Sequence, residues 1–247
     1  MSLKVFFDTV RPKFPKGQLT AGQVEGMEFL LGELQVLPRA HQAYLLATVC
    51  IETAWTMQPV RETLATSDES AIARLDNAWA KGQLPWVKTP YWRKDAEGKA
   101  WFGRGYVQIT HKANYAKAAQ ELNVPLLEDP GLALDPNVAA DIMIRGSSEG
   151  WFTGKKLSDY LGNGKLDFVN ARRVINGTDR AEEIAALAET FLDALDSLYQ
   201  RPEPAPRDHE EVPYSPPVVT PEAPRTRYLE ILGLVVAAIT IIVTAIF

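Results

Sequence analysis

Residues 43–62, AYLLATVCIETAWTMQPVRE, decide how the rest of the chain must be arranged. From Tyr44 to Trp55 nearly every position is apolar or small, so a helix here is apolar on most faces and belongs at the centre of a domain. Glu52 then sits on a core helix, where an ionised carboxylate is costly unless it is paired or keeps its proton. Keeping a proton is what a general acid needs. Pro59 cannot continue a helix, so the chain is expected to break just before it and turn, with Glu62 past the break. On one unbroken helix the two carboxylates would stand roughly 15 Å apart. A bend lets them approach the roughly 6.5 to 9.5 Å at which one carboxyl protonates a leaving oxygen while the other activates a water. The competing reading is an ion pair between Glu52 and an arginine such as Arg61, with Glu62 solvated.

Before this stretch, Thr20 and Gln23 have capping-box spacing for a helix with Val24, Met27, Leu31 and Leu34 on one face. After it, Ser67 or Asp68 caps a helix whose stripe is Ile72, Leu75 and Trp79. Residues 83–109 change character, crowding Trp86, Tyr91, Trp92, Trp101, Phe102 and Tyr106 among prolines and glycines. Within them, RKDAEGKA reads as a β-hairpin with DAEG at its tip and aromatic arms. Rings such as Trp101 and Tyr106 beside a carboxylate pair suit stacking on sugar faces, or else they cover the core. In GRGYVQITHKANY, residues 103–115, two glycines around Arg104 allow close backbone approach. If residues 106–110 form a strand, Tyr106, Gln108 and Thr110 point the same way and line a groove. Further helices are expected over about residues 112–122, from Asp135 and Pro136 onward, and after the Asn176–Gly177 turn. Asp179 and Glu182 cap that last helix, with Ile184, Leu187, Phe191, Leu195 and Leu198 as its stripe. Residues 1–200 therefore read as one mainly α domain with a small β-hairpin.

The 247 residues, 46% hydrophobic, support one sizeable domain with appendages. The single cysteine, Cys50, excludes an internal disulfide and reads as a small core residue. A net charge of -5 leaves no basic footprint for nucleic acid. Three histidines without an HExxH or Cys/His cluster argue against a metal site, and no phosphate-loop motif calls for a nucleotide cofactor. The N-terminus lacks the apolar run of a secretory signal, which places the product in the cytoplasm at first. Residues 201–227 read as a disordered linker, since 8 of the 26 residues in 201–226 are proline. Residues 228–247 read as a transmembrane anchor: 231–247 are 17 residues without a charge, close to the ~20 needed to cross a bilayer. Arg225 and Arg227 precede it and no charge follows, so the positive-inside rule keeps the large domain cytoplasmic.

ETAWTMQPVRE, GRGYVQITHKANY, EGWFTGKKLSDY and VNARRVING, in that order, resemble glycoside hydrolase family 19, and in particular its bacteriophage and prophage endolysin branch, over roughly residues 20–198. The resemblance implies a lysozyme-like helical fold that cuts β-1,4 bonds between N-acetylated amino sugars with inversion. Under it Glu52 matches the general acid and Glu62 the base that activates water. Thr110 matches a hydroxyl that helps hold that water, and Gln108, Asn114 and Asn176 match groove residues contacting N-acetyl sugars. The family usually has histidine directly before the acid, and Ile51 in its place implies an altered orientation of Glu52 and weaker activity. The second glutamate of the chitinase branch, further along the chain within disulfide-bonded loops, has no counterpart here, which favours peptidoglycan over chitin. The expectation is a peptidoglycan glycosidase of endolysin or muramidase type, free of cofactor and metal. It would be anchored in the bacterial inner membrane and reach the wall through a holin-type pore partner. Two rivals stand: a chitinase, and a non-catalytic cell-wall-binding protein.

Overall fold

The computed structural model describes residues 3–199. The expected linker and membrane anchor lie outside the described residues, among which no helix is long and apolar enough to cross a membrane. The described chain is mainly helical, with two small antiparallel pairings.

Helix α1, Leu3–Val10, buries Phe6, Phe7 and Val10. Helix α2, Ala21–Leu34, starts at the expected capping box, and its buried face is Gly26, Met27, Leu30 and Leu34, slightly rotated from the expected stripe. Helix α3, Arg39–Glu52, is buried at every position from His41 to Ile51, as its all-round apolar pattern requires. The last helix of the described residues, Ala181–Tyr199, packs along both α1 and α3. Its small buried residues Ala185, Ala188 and Ala194 allow the close approach, while Ile184 and Phe191 fill the core. That helix begins without the expected Asp179 cap: Arg180, at φ 55, occupies the position before it.

The proline stop is corrected by the structure, because α3 ends at Glu52, seven residues before Pro59. The stop is a Schellman closure: Trp55 N–H donates to the Cys50 carbonyl at 2.7 Å and Ala54 N–H to that of Ile51 at 3.2 Å. The Thr53 hydroxyl donates to the Val49 carbonyl and accepts from Met57 N–H, which fastens the turn from inside. Ala54, Trp55 and Met57 all have positive φ, at 48°, 68° and 58°. Such residues cost about 1 kcal/mol or more each and persist only when surroundings hold them. Here α2 holds them: Gln23 Nε2 donates to the Trp55 carbonyl at 2.8 Å and Gln58 Nε2 to that of Gly22 at 2.7 Å. Gly26 permits this contact, since a Cβ there would lie 2.1 Å from the Met57 carbonyl oxygen.

Strand β1, Val60–Arg61, leads directly into Glu62. Helix α4, Asp68–Ala80, is capped by Ser67 and, with Trp92 and Phe102, builds a second, smaller core around Ala71 and Leu75. The turn at DAEG forms as expected, but no strands flank it. Asp95 spends its carboxylate on the turn, with Oδ1 accepting from the N–H groups of Glu97 and Lys99 and Oδ2 from the Trp101 indole. A carboxylate-held turn replaces the ladder. Strand β2, Arg104–Gly105, pairs instead with β1, Val60 opposite Gly105 and Arg61 opposite Arg104.

Helices α5, Lys112–Leu122, and α6, Pro136–Glu149, follow, with Asp135 capping α6 through the N–H groups of Asn137 and Val138. After α7, Leu157–Tyr160, strands β3, Leu161–Gly162, and β4, Lys165–Leu166, form the hairpin of the domain. Its tip is Asn163–Gly164, both at positive φ, one of the chain's two Asn-Gly dipeptides and the one that closes a hairpin. Helix α8, Phe168–Ala171, then leads through Arg172 to α9, Ala181–Tyr199.

Candidate active site

An open cleft of about 900 Å³ gathers Glu52, Glu62, Gln108, Thr110, Asn114 and Asn176 on its walls. Residues 124 positions apart in sequence, Glu52 and Asn176, thus share one surface. Two cores meet there: Glu52 ends a helix of the large core, and Glu62 is bound to Tyr91, which packs on the small one.

Glu52 is paired, as the competing reading held, but its partner is Arg172 and not Arg61. Arg172 Nη1 stands 2.6 Å from Glu52 Oε1, with the arginine 2% and the glutamate 17% exposed. The N–H does not point along the contact, so Nη1 makes no aligned hydrogen bond and the attraction is that of two charges. Arg61 is engaged elsewhere, 2.7 Å from Asp68. Ile51, directly before Glu52, is 6% exposed and belongs to the large core.

Glu62 is held at both oxygens. The Tyr91 hydroxyl donates to Oε1 at 2.8 Å and Gly103 N–H to Oε2 at 2.8 Å, while Glu62 N–H donates to the Gly103 carbonyl at 2.7 Å. Burial, and then the charge of Glu62, push the Tyr91 phenol well above its usual range, so it stays a neutral donor. Gly103 leaves room for Gln108: a Cβ there would meet Gln108 Oε1 at 2.9 Å and Gln108 Cβ at 3.2 Å, and would touch Glu62 Oε2 at 3.4 Å. The Tyr91 ring also packs edge-on against His111, 4.9 Å between centroids.

The expected strand over residues 106–110 does not form. Arg104 and Ile109 bond back to each other through both backbone pairs, and Gln108 takes φ 52 at the bend. The alternation is broken there, which sends Tyr106 into the core at 1% exposure and leaves Gln108 and Thr110 on the cleft. Trp101 is likewise a core residue, 5% exposed, with its indole spent on Asp95. The aromatic segment therefore divides: Trp92, Trp101, Phe102 and Tyr106 are buried, whereas Tyr91 and the 72% exposed Trp86 face the cleft.

The polar side chains on the cleft keep defined capacities. Gln108 Nε2 donates to the carbonyls of Val60 and Gly105, leaving Oε1 as an acceptor. Thr110 Oγ1 donates to the Gln108 carbonyl at 2.8 Å, so its lone pairs are left to accept. Asn114 Nδ2 donates to the Thr110 carbonyl, leaving Oδ1, and Asn176 Oδ1 accepts from Gly177 N–H, leaving Nδ2. Beneath this wall the fully buried Arg104 donates to the Ala100 carbonyl, the Tyr115 hydroxyl and Asp68, and clamps β2 to the start of α4. Burial raises the Asp68 carboxyl, but hydrogen bonds and charge from Arg61 and Arg104 outweigh it and leave it lowered. Among the described residues no cluster of His, Cys, Asp or Glu is arranged to hold a metal ion.

Arg172 and Tyr91 were assigned no part in the site by sequence reasoning. Tyr91 was read only as an aromatic arm, and the one signal for Arg172 was its place within VNARRVING.

Residues 84–157 match the glycoside hydrolase family 19 model described as chitinase class I. The matched segment carries Trp86, Tyr91, Gln108, Thr110 and Asn114, and leaves out Glu52, Glu62, Arg172 and Asn176. An endochitinase from Arabidopsis thaliana is 38% identical over 81 residues, 32% of this chain. The chain matches 26% of that relative's length. Chitinase C from Streptomyces griseus is similar in structure at 18% identity and a TM-score of 0.48, covering 79% of this chain and 76% of that one. A mutant of chitinase C is similar at 18% identity and a TM-score of 0.46, covering 79% and 92%.

Proposed function

We propose that this protein is a glycoside hydrolase of the chitinase-like kind that cuts β-1,4 bonds between N-acetylated amino sugars with inversion, and that its substrate is peptidoglycan, in the manner of a phage endolysin. The observation that carries the reading is the convergence of Glu52 and Glu62 on one sugar-sized cleft with four amide and hydroxyl side chains. In this mechanism Glu52, positioned by Arg172, takes up a proton from solvent before the reaction and gives it to the leaving oxygen. Glu62 takes the proton of a water attacking the anomeric carbon from the other face, with both of its oxygens steadied by Tyr91 and Gly103. Thr110, its own proton spent, accepts from that water. Gln108 and Asn114 offer acceptors, and Asn176 a donor, to acetamido groups, and Trp86 offers a ring face to a sugar.

The test is release of reducing ends from purified sacculi, with mass spectrometry of the fragments to name the bond. Glu52→Gln and Glu62→Gln are each expected to abolish release while the fold survives, and lysis retained by either variant removes that residue from the mechanism. Binding without release in the parent protein would favour the wall-binding alternative. A chitin substrate is the second reading, supported by the descriptions of the matched family model and of the plant relative. Faster turnover of soluble chitin oligosaccharides than of wall strands would establish it.

For location we propose a C-terminal membrane anchor over residues 228–247 with the domain held in the cytoplasm until the membrane is breached by a pore-forming partner of the holin kind. The composition of residues 201–247 supports this. Digestion of the domain by protease added outside spheroplasts would overturn the placement.

A further inference from the structure

We propose that Lys88 selects glycans that carry carboxylates, and so sets the preference of the cleft between an acidic wall polymer and neutral chitin. The inference rests on the reading of this cleft as a glycan site.

Of the lysines and arginines among the described residues, Lys88 is the one that lines the cleft. It is exposed, and among the described residues it has neither an ion pair nor a side-chain hydrogen bond. The two carboxylates that share the cleft are already occupied, Glu52 by Arg172 and Glu62 by Tyr91 and Gly103. The ammonium is therefore left to an anion that arrives with the ligand. Its position is stiffened on both sides by Pro85 and Pro90 and by the turn bond from Val87 N–H to the Leu84 carbonyl, while Val87 packs on the small core. Lys88 stands two residues from Trp86, whose exposed ring also lines the cleft. A sugar stacked there would bring substituents within reach of a lysine stem.

Chitin strands are uncharged, so Lys88 has nothing to pair with on them. Wall glycan offers carboxylates from two sources: the stem peptide where it is attached, and the lactyl group where the peptide has been removed. The chain's net charge of -5 repels an acidic polymer at long range, and a cation on the cleft wall opposes that repulsion locally.

The experiment compares the full chain with Lys88→Met and Lys88→Glu on uncross-linked strands bearing stem peptides, amidase-stripped strands with free lactyl groups, and chitin oligosaccharides. Binding and turnover are both measured at low and high salt. Lys88→Met is expected to weaken binding to a carboxylate-bearing strand about fivefold at low salt, the scale of one exposed ion pair. Lys88→Glu is expected to weaken it further, high salt to erase the difference, and chitin binding to stay unchanged. Loss on the peptide-bearing strand alone assigns the stem carboxylates, loss on the stripped strand assigns the lactyl group, and loss on both assigns carboxylate recognition as such. Equal loss on chitin, or no loss on either acidic strand, overturns the proposal. Absence of turnover by the parent protein on all three substrates refutes the hydrolase reading instead, and the binding comparison still decides the role of Lys88.

Discussion

Arg172 and Glu52 form the pair on which both stability and turnover are expected to depend, and a double-mutant cycle separates the two. Arg172 is 2% exposed and lies 2.6 Å from a carboxylate that is 17% exposed. Breaking a fully buried ion pair costs about 3–5 kcal/mol, because the remaining charge stays in a low dielectric. The exposed edge of Glu52 and the unaligned N–H reduce that here, and Glu52→Gln is expected to cost about 2 kcal/mol. For a domain of this size that lowers Tm by about 4–8 °C. Arg172→Met fills the same volume and leaves the carboxylate on the cleft edge, where water reaches it, so about 1–2 kcal/mol is expected. In the double variant no charge is stranded, and its loss should fall short of the summed single losses by about 1 kcal/mol or more. Urea unfolding followed by tryptophan fluorescence gives the three values. In parallel, Glu52→Gln is expected to lower kcat on sacculi by about 10²- to 10⁴-fold, the share of a general acid, while Arg172→Met lowers it less. Losses that add to within about 0.5 kcal/mol would refute the energetic coupling. Unchanged kcat in Glu52→Gln would refute its chemical role.

Tyr91→Phe removes a 2.8 Å hydrogen bond to the Glu62 carboxylate, a bond of a kind worth about 1.5–3 kcal/mol, and is expected to lower kcat about tenfold with little change in KM. A kcat equal to that of the parent would show that Glu62 is positioned without it. Gly103→Ala should cost more activity than stability, roughly 1 kcal/mol in unfolding, because its Cβ would displace the Gln108 side chain from its place on the cleft wall beside Glu62. A stability loss without an activity loss would contradict the placement. Asp95 is held low, at about 2, first by the hydrogen bond from Trp101 and then by the Lys99 backbone N–H. A carboxyl lowered in the folded state stabilises above its ordinary value near 3.8 and loses that contribution as pH falls towards 2. Stability of the parent should therefore fall more steeply from pH 4 to 2 than that of Asp95→Asn, and parallel curves would refute the assignment.

Much of the helical frame was legible because local physics dictates it. The box at Thr20 and Gln23, the Asp135 cap with Pro136 behind it, and the all-round apolar run before Glu52 each satisfy orphan backbone groups or bury surface without help from distant residues. Glu52, Glu62, Gln108 and Thr110 were also legible from the residues, Asn114 and Asn176 only through the family resemblance, and the structure brings all six to one cleft. The errors fall where a long-range contact overrides local preference. Tyr106 and Trp101 lost their groove roles because the chain doubles back at Gln108 and because Asp95 draws the indole of Trp101 inward. The break after Glu52 was assigned to Pro59, whereas a backbone closure ends the helix earlier and α2 holds its three positive-φ residues in place.

By itself the sequence determined the helical class, the burial of the segment around Cys50 and the presence of a carboxylate within that segment, since apolar periodicity and capping act within a few residues. Tertiary structure alone decided which groups stand around the two glutamates. Tyr91 reaches Glu62 across 29 positions and Arg172 reaches Glu52 across 120. The reason is physical. A buried charge must find its counter-charge wherever the packing of α3 against α9 and its preceding loop delivers one, and no local pattern records that delivery.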